Sequence, residues 1–322
     1  MNEVIIIGGG VAAFSAALFA ARRGLSVLVL GKDIGGQANF TDVIENYPGL
    51  PRVGGNELVE SIKKQALGFG AKFETAEVSK IRKAPGGNFI VFAYGKQYKS
   101  QSIILAFGKT PKDLDVPGEE EFKGKGIVYC GICDGPLFKN KIVAVVGVGD
   151  LAIEEALFCA KFAKRVFLLS KTDKIMGHPA LVKAISKKSN IEILQFVRVE
   201  EIKGRSEVES LKLLDLKTNK PKHLPINGIL VELGYVVKSE FVAGLVKLDQ
   251  NSQIIVNPDQ STSCEGIFAA GDATNRPYKQ ATISAGEGAA AGLAAFDWLM
   301  RQRSGQGLTS DWTQIKKVKI KK

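Results

Sequence analysis

Histidine is almost missing from this sequence: His178 and His223 are the only two in 322 residues, and they stand far apart. A zinc site or a histidine-based triad therefore has little to build on, and no metal site is expected. Cysteine is scarce as well. Four in a chain of this length do not make a disulfide scaffold, which points to a reducing, cytoplasmic setting. No stretch reaches the ~18–20 unbroken apolar residues of a membrane helix. Even the alanine-rich run near Ala289 is interrupted by Asp297, so no membrane partner is expected. The apolar segment Val4–Ile7 follows Glu3 and is cut off by Gly8-Gly9-Gly10, so it does not read as a signal peptide.

What is present is apolar material for real cores, 45% of the residues, in a chain long enough for two domains. The formal charge is +11, which raises nucleic acid or an acidic partner. More than half of that excess is terminal: residues 301–322 hold Arg301, Arg303, Lys316, Lys317, Lys319, Lys321 and Lys322 against Asp311 alone. The remaining body is only modestly basic. It shows no basic stripe interleaved with aromatics, so nucleic acid is not an expected partner.

The chain opens EVIIIGGGVAAFSAALFAARRGLSVLVLG, a β-branched run, glycines, an alanine-rich helical stretch ending near Gly24, and a second apolar run. That is a β-α-β unit. The grammar returns at KIVAVVGVGDLAIEEALFCAKFAKRVFLLS, with Val143–Val146 as strand, Asp150–Phe162 as helix and Val166–Leu169 as the next strand. The expected class is α/β, two Rossmann-like nucleotide-binding domains with the second inserted in the first. Crossings near Asp115-Val116-Pro117-Gly118 and Gly234–Glu240 divide it into 1–115, 116–240 and 241–300, followed by a basic tail, 301–322. An alanine- and glycine-rich helix over Ile283–Leu299 would complete the first domain.

Each unit carries a glycine fingerprint. In the first, Gly8 permits the tight turn, Gly10 lets a pyrophosphate approach, and Ala13 lets helix and strand pack closely. The second has Gly147, Gly149 and Ala152 in the same places. It reads either as a dinucleotide site or as a duplicated domain that kept its shape and lost its ligand. The ribose position at the end of the second strand is not clean in either unit. It holds Lys32 with Asp33 displaced in one, and Lys171 after Ser170 in the other.

The sharpest chemical signal is Cys130-Gly131-Ile132-Cys133-Asp134. Two cysteines at this spacing close and reopen a small-loop disulfide, and their pKa values are commonly lowered. Asp134 stands ready to move a proton. Half a zinc site or a chance pairing are the competing readings. Cys159 falls on the apolar side of a helix, and Cys264 has no partner in sequence.

Together these residues resemble the low-molecular-weight thioredoxin reductases over nearly the whole chain. The matching segments are GGGVAAFSAA, GGQ at Gly35–Gln37, ENYPG at Glu45–Gly49, YCGICDG at Tyr129–Gly135, GVGDLAIEEAL at Gly147–Leu157, and GIFAAGDAT with KQATISAGEG over Gly266–Gly288. The resemblance implies FAD across Gly8, Gly10 and Ala13, with Gly35, Gly36, Gln37 and Asn46 near it. Asp272 would hold the ribityl hydroxyls, and Gln280-Ala281, with Lys279 beside them, would lie at the flavin ring. Cys133 would face the flavin, Cys130 would attack the partner's disulfide, and Asp134 would be the acid/base. It also implies a homodimer that reduces thioredoxin or a thioredoxin-like protein. Linkers near Val116 and Gly234 would serve as a hinge between two functional states.

One departure stands out. Where NADPH-dependent members carry an H-R-R-x-x-x-R run, this chain reads Ser170-Lys171-Thr172-Asp173-Lys174-Ile175-Met176. Losing bidentate arginine contacts to a 2′-phosphate weakens the case for NADPH. An atypical donor is favoured, ferredoxin or an unidentified one, toward which the basic tail would be attractive. An ordinary NADPH-dependent reductase remains an alternative. So does a ferredoxin–NADP reductase of the same fold, although relatives of that kind lack the cysteine pair. In certain relatives a C-terminal aromatic covers the flavin. Trp312 is either such a residue or a plain tail residue.

Overall fold

The computed structural model describes residues 1–40, 44–129 and 135–305. Cys130, Cys133, Asp134 and Trp312 lie outside the described residues. The chain divides into two compact units, Met1–Thr110 with the chain from Val236 on, and Pro111–Tyr235. The first crossing falls a few residues earlier than Asp115–Gly118, and the second falls inside the expected Gly234–Glu240. Leu114 and Asp115 donate their amides to the Glu119 carboxylate at 2.8 and 2.7 Å, so Pro111–Asp115 folds with the second unit. Val237 packs into a core of the first unit, so the return begins at Val236.

The first unit starts with β1 (Asn2–Ile7), α1 (Val11–Arg22) and β2 (Val27–Gly31), the expected β-α-β turn. α2 (Gly55–Gly68) leads to β3 (Lys72–Thr75). Then β4 (Val78–Lys83), β5 (Phe89–Ala93) and β6 (Lys96–Leu105) form an antiparallel meander. The sheet order is β3-β2-β1-β6-β5-β4, with β1, β2, β3 and β6 parallel where they pair. Period-two alternation splits β1 between two cores. Val4 and Ile6 pack against the helices, while Ile5 and Ile7 face the core that also takes Val237 and Ile254.

The returning chain adds the strand Ile267–Ala269 beside β6 and the long helix Ala281–Ser304. That helix outruns the expected Ile283–Leu299 at both ends, and Gly305 closes it in the left-handed conformation at φ 72°. It packs on α1 through a seam of small residues. A Cβ added at Gly288 would stand 2.2 Å from the Ala12 carbonyl oxygen, and one at Gly292 2.6 Å from that of Ala16.

In the second unit β7 (Thr110–Pro111) enters from the first. β8 (Ile127–Val128), β9 (Ile142–Gly147), β10 (Arg165–Leu169) and β11 (Ile191–Leu194) come next, and then the antiparallel β12 (Val197–Gly204), β13 (Val208–Asp215) and β14 (Lys220–Pro225). β15 (Gly228–Glu232) returns to a parallel five-stranded sheet of order β11-β10-β9-β15-β8. The helices Asp150–Cys159 and Pro179–Ile185 pack on one face through Ile153, Ala156, Cys159 and Ile185. The antiparallel sheet covers the other through Val197, Val199, Leu211 and Leu213. The first helix stops at Cys159, short of Phe162. Among the described residues no helix is long and apolar enough to cross a membrane, and no His, Cys, Asp and Glu cluster could hold a metal.

Candidate functional site

The first glycine turn is built by sterics. β1 delivers Gly8 at φ +131°, a conformation L side chains rarely adopt, and a Cβ there would meet the Ala106 carbonyl oxygen at 2.1 Å. A Cβ at Gly9 would lie 1.8 Å from the Asp33 carbonyl oxygen. Gly10 is the N-cap of α1 and offers no side-chain cap, so the first-turn N–H groups keep their positive dipole end available. Ala13 is fully buried beneath it. The Gly35-Gly36 loop closes over this turn: the Gly35 amide donates to the Gly9 carbonyl at 2.8 Å. Lys32 is exposed at the end of β2, and Asp33 turns back to accept the Gly36 amide at 3.2 Å.

A second group of side chains gathers in the same unit. Asn46 donates to Gln280 Oε1 at 3.0 Å, and Gln37 donates to the Lys109 carbonyl at 2.9 Å. Asp272 Oδ2 stands 3.5 Å from Lys109 Nζ, and Ser284 Oγ donates to Asp272 Oδ1 at 3.4 Å. Lys279 Nζ donates to the Thr274 carbonyl at 2.5 Å, and Ala281 opens the long helix behind its N-cap, Gln280. Burial lowers the Lys279 pKa and raises that of Glu287, whose carboxylate accepts the Gly271 amide at 2.7 Å. The structure thus joins Asn46 to Gln280, Gln37 to Lys109, and Asp272 to the lysines, across long stretches of sequence. A bare helix end that a Cβ would obstruct and a little-exposed carboxylate fit an anionic dinucleotide with hydroxyls to anchor, and FAD is such a group.

The second glycine turn differs in kind. At Gly147 a Cβ would meet the Glu232 carbonyl oxygen at 2.3 Å, and Ala152 is buried, so strand and helix pack closely. This helix too has no side-chain cap, but its first turn carries an acid. Asp150 Oδ1 accepts the His178 amide at 2.6 Å, which ties the Met176–His178 segment to the first turn. Around it Val148, Leu151 and Met176 are 52%, 54% and 60% exposed. Ser170 and Thr172 hydrogen-bond one another.

Lys171 lines a groove of about 670 Å³ floored by Val146, Leu169, Val197 and Val199. Arg198 and Lys212 also line it, but both are paired with Glu200, at 3.2 and 3.5 Å. The Glu232 carboxyl, at the end of β15, is pushed up by burial. An acidic side chain and exposed apolar ones stand at the helix end, and the described arginine of the groove, Arg198, is ion-paired, unlike a fork of free arginines for a 2′-phosphate.

On the near side of the redox motif the described residues end at Tyr129, whose phenol donates to Asp113 at 2.7 Å. On the far side Gly135 begins a short turn through Phe138, which is buried beneath the parallel sheet. Sequence reasoning missed Lys109, Ser284 and Glu287 at the first site. It also missed Arg198 and Lys212 at the second, and the Asp113–Glu119 pair beside the motif. Ser284 and Glu287 lie within the KQATISAGEG segment and could have been found there; the others have no local signature, and the fold brings them in.

The profile of the pyridine nucleotide-disulphide oxidoreductases matches residues 2–288. A thioredoxin reductase of Aquifex aeolicus is 39% identical over 300 residues, 92% of this chain and 93% of that protein. The crystal structure of Lactococcus lactis thioredoxin reductase superposes with a TM-score of 0.77 at 32% identity, covering 94% of this chain and 100% of that one. A ferredoxin-flavin thioredoxin reductase of Clostridium acetobutylicum is 30% identical with a TM-score of 0.51, covering 94% and 98%. Some curated relatives are longer, and the chain spans 57% to 66% of their length. The chain belongs to the pyridine nucleotide-disulphide oxidoreductases and, within them, to the low-molecular-weight thioredoxin reductases, FAD-dependent enzymes that act on disulfides.

Proposed function

We propose that this chain reduces thioredoxin or a thioredoxin-like protein through FAD and the Cys130–Cys133 pair, and that its electrons come from reduced ferredoxin or another donor that is not NADPH. The observation that carries the donor assignment is the second glycine turn. Asp150 holds the His178 amide there, and Leu151 and Met176 stand exposed where phosphate-binding groups would be needed. The likeness to a ferredoxin-flavin thioredoxin reductase supports the same reading.

In the first unit the N-terminus of α1, with Gly8, Gly10 and Ala13, would take the pyrophosphate. Gly35, Gly36, Gln37 and Asn46 would close over the cofactor. Asp272 would anchor the ribityl hydroxyls, with Lys279, Gln280 and Ala281 near the ring. Bound FAD supplies the junction between the donor and a two-electron disulfide. The remaining chemistry is thiol chemistry. The Cys130 thiolate attacks the partner's disulfide, forming a mixed disulfide and releasing one partner thiolate. The Cys133 thiolate then displaces the other partner sulfur and closes Cys130–Cys133. Two electrons leave with the partner's dithiol, and Asp134 handles protons at this exchange.

The test is anaerobic mixing of the purified protein with excess NADPH, NADH or reduced ferredoxin, following the flavin band. Bleaching by reduced ferredoxin or dithionite but not by NADPH is expected. Rapid bleaching by NADPH defeats the donor assignment.

A further inference from the structure

Two lysines meet at Asp272 in the first unit, one at its carboxylate and one at its backbone carbonyl. Lys109, a few residues beyond the end of β6, places Nζ 3.5 Å from Asp272 Oδ2. Lys279 comes from the other side, donating to the Thr274 carbonyl at 2.5 Å and reaching the Asp272 carbonyl at 3.4 Å. Nothing in the family resemblance called for Lys109, and its ammonium is drawn from 163 positions away along the chain.

Lys109, Lys279 and Arg276 here face Asp272, Glu287 and Asp249. Lys109 takes the Asp272 carboxylate and Lys279 its carbonyl, while Asp272 Oδ1 is already offered the Ser284 hydroxyl. Glu287 is nearby; burial pushes its carboxyl up, while the Gly271 amide and the Lys279 and Arg276 charges oppose that shift. Arg276 adds a cation to this neighbourhood and Asp249 an anion. Burial is also the main cause of the lowered Lys279 pKa, and the Lys109 charge acts in the same direction. A half-buried pair of ammonium groups around one aspartate is stabilised by any anion added beside it.

We propose that Lys109 and Lys279, held across Asp272, tune the bound flavin toward its reduced form. The inference rests on the assignment of Asp272 to the FAD site made above. FAD that takes up two electrons and one proton gains one negative charge, and these two ammonium groups stand at its Asp272 anchor. Their attraction is weighted toward the reduced state, because the oxidised ring is neutral. A raised potential makes the flavin a willing acceptor from a low-potential iron–sulfur donor, and does so with no nicotinamide bound.

The test is an anaerobic dithionite titration of the holoprotein against a reference dye, with FAD affinity measured separately by fluorescence. In Lys109→Met and in Lys279→Met the equilibrium of bound FAD with the dye is expected to shift at least tenfold toward the oxidised form. For a two-electron couple that is about 30 mV. Lys109→Arg, which keeps the charge, should stay near the wild type. If FAD dissociates more readily but the dye equilibrium does not move, the lysines grip phosphate and the inference is wrong. It is equally wrong if neither quantity moves in either methionine variant. A wild-type protein that purifies without flavin and fails to bind added FAD removes the site assignment itself, and this inference with it.

Discussion

The phenol of Tyr129, the residue before Cys130, donates to Asp113 Oδ1 at 2.7 Å and stands 3.1 Å from Glu119 Oε1. Glu119 is itself buried and accepts the Leu114 and Asp115 amides, while Lys123 Nζ lies 3.2 Å from Asp113. One side chain thus ties the root of the cysteine motif to the segment by which the chain enters the second unit. Burial comes first, and the two acidic neighbours next, in pushing the phenol pKa up. Stability from a group with a raised pKa is present below its unfolded value and is lost as pH rises above it. Tyr129 in the unfolded chain ionises near pH ~10. Above that pH the unfolded state sheds a proton that the folded state keeps, so stability falls. Tyr129→Phe should cost about 1–3 kcal/mol at pH 7, the worth of a hydrogen bond to a charged group. It should also flatten the loss of stability between pH 9 and 11. Denaturant unfolding of both proteins at several pH values checks this, and parallel pH profiles would contradict it.

Much of this architecture was legible in the sequence because the signals are local. Val4–Ile7 followed by Gly8, and Val143–Val146 followed by Gly147, each place a strand, a tight turn and a helix within a short window. What was not legible was assembled by distance. Lys109 reaches Asp272 by loop closure, and Lys212 reaches Glu200 by the register of β12 on β13, neither of which a short window contains. The first crossing point lies earlier than expected because Glu119 captures the amides of Leu114 and Asp115, a hydrogen-bond fact with no compositional trace. The last helix runs on to Ser304 although the polar residues after Arg301 have the composition of a tail. The left-handed Gly305 terminates it.

The small-residue seam yields a stability test. Gly288 faces Ala12 so closely that any Cβ must push α1 and the long helix apart. Overpacking of this kind costs about 1–3 kcal/mol for an added methyl and more for a larger group. Gly288→Ala should therefore lower the unfolding midpoint, and Gly288→Val should lower it further. Because α1 also carries the Gly10 cap, both variants should hold FAD less firmly, read as flavin released on gel filtration. Full stability of Gly288→Val would mean that the seam is looser than its geometry.

The two cysteines have different assignments, and serine variants separate them. If Cys130 is the attacking thiol, Cys133→Ser cannot resolve the mixed disulfide and should trap thioredoxin covalently, visible on a non-reducing gel and reversed by dithiothreitol. Cys130→Ser should trap nothing. Both should lose disulfide reduction by at least a thousandfold while chemical reductants still bleach the flavin. Trapping by Cys130→Ser instead would exchange the two roles.

The donor assignment makes a gain-of-function prediction. Nicotinamide use requires a site for the phosphates, and on the proposed donor assignment the second unit would lack it for two separable reasons: no arginine stands within Ser170–Met176, and an acid, Asp150, occupies the first turn of the helix. Thr172→Arg with Met176→Arg addresses the first. Each charge-assisted bond to a 2′-phosphate contributes about 1.5–3 kcal/mol, and screening at exposed positions reduces that. NADPH binding should tighten at least tenfold, while NADH, which has no 2′-phosphate, should be unaffected. Adding Asp150→Asn removes a like charge from the first turn and should tighten both nucleotides together. It should do so at some cost in stability, because the His178 amide then meets a neutral acceptor. Calorimetric titration of the three proteins separates the contributions. Were NADPH to bind the double arginine variant no better than the wild type, the exposed Leu151 and the Met176–His178 segment would be the barrier, and charge would not.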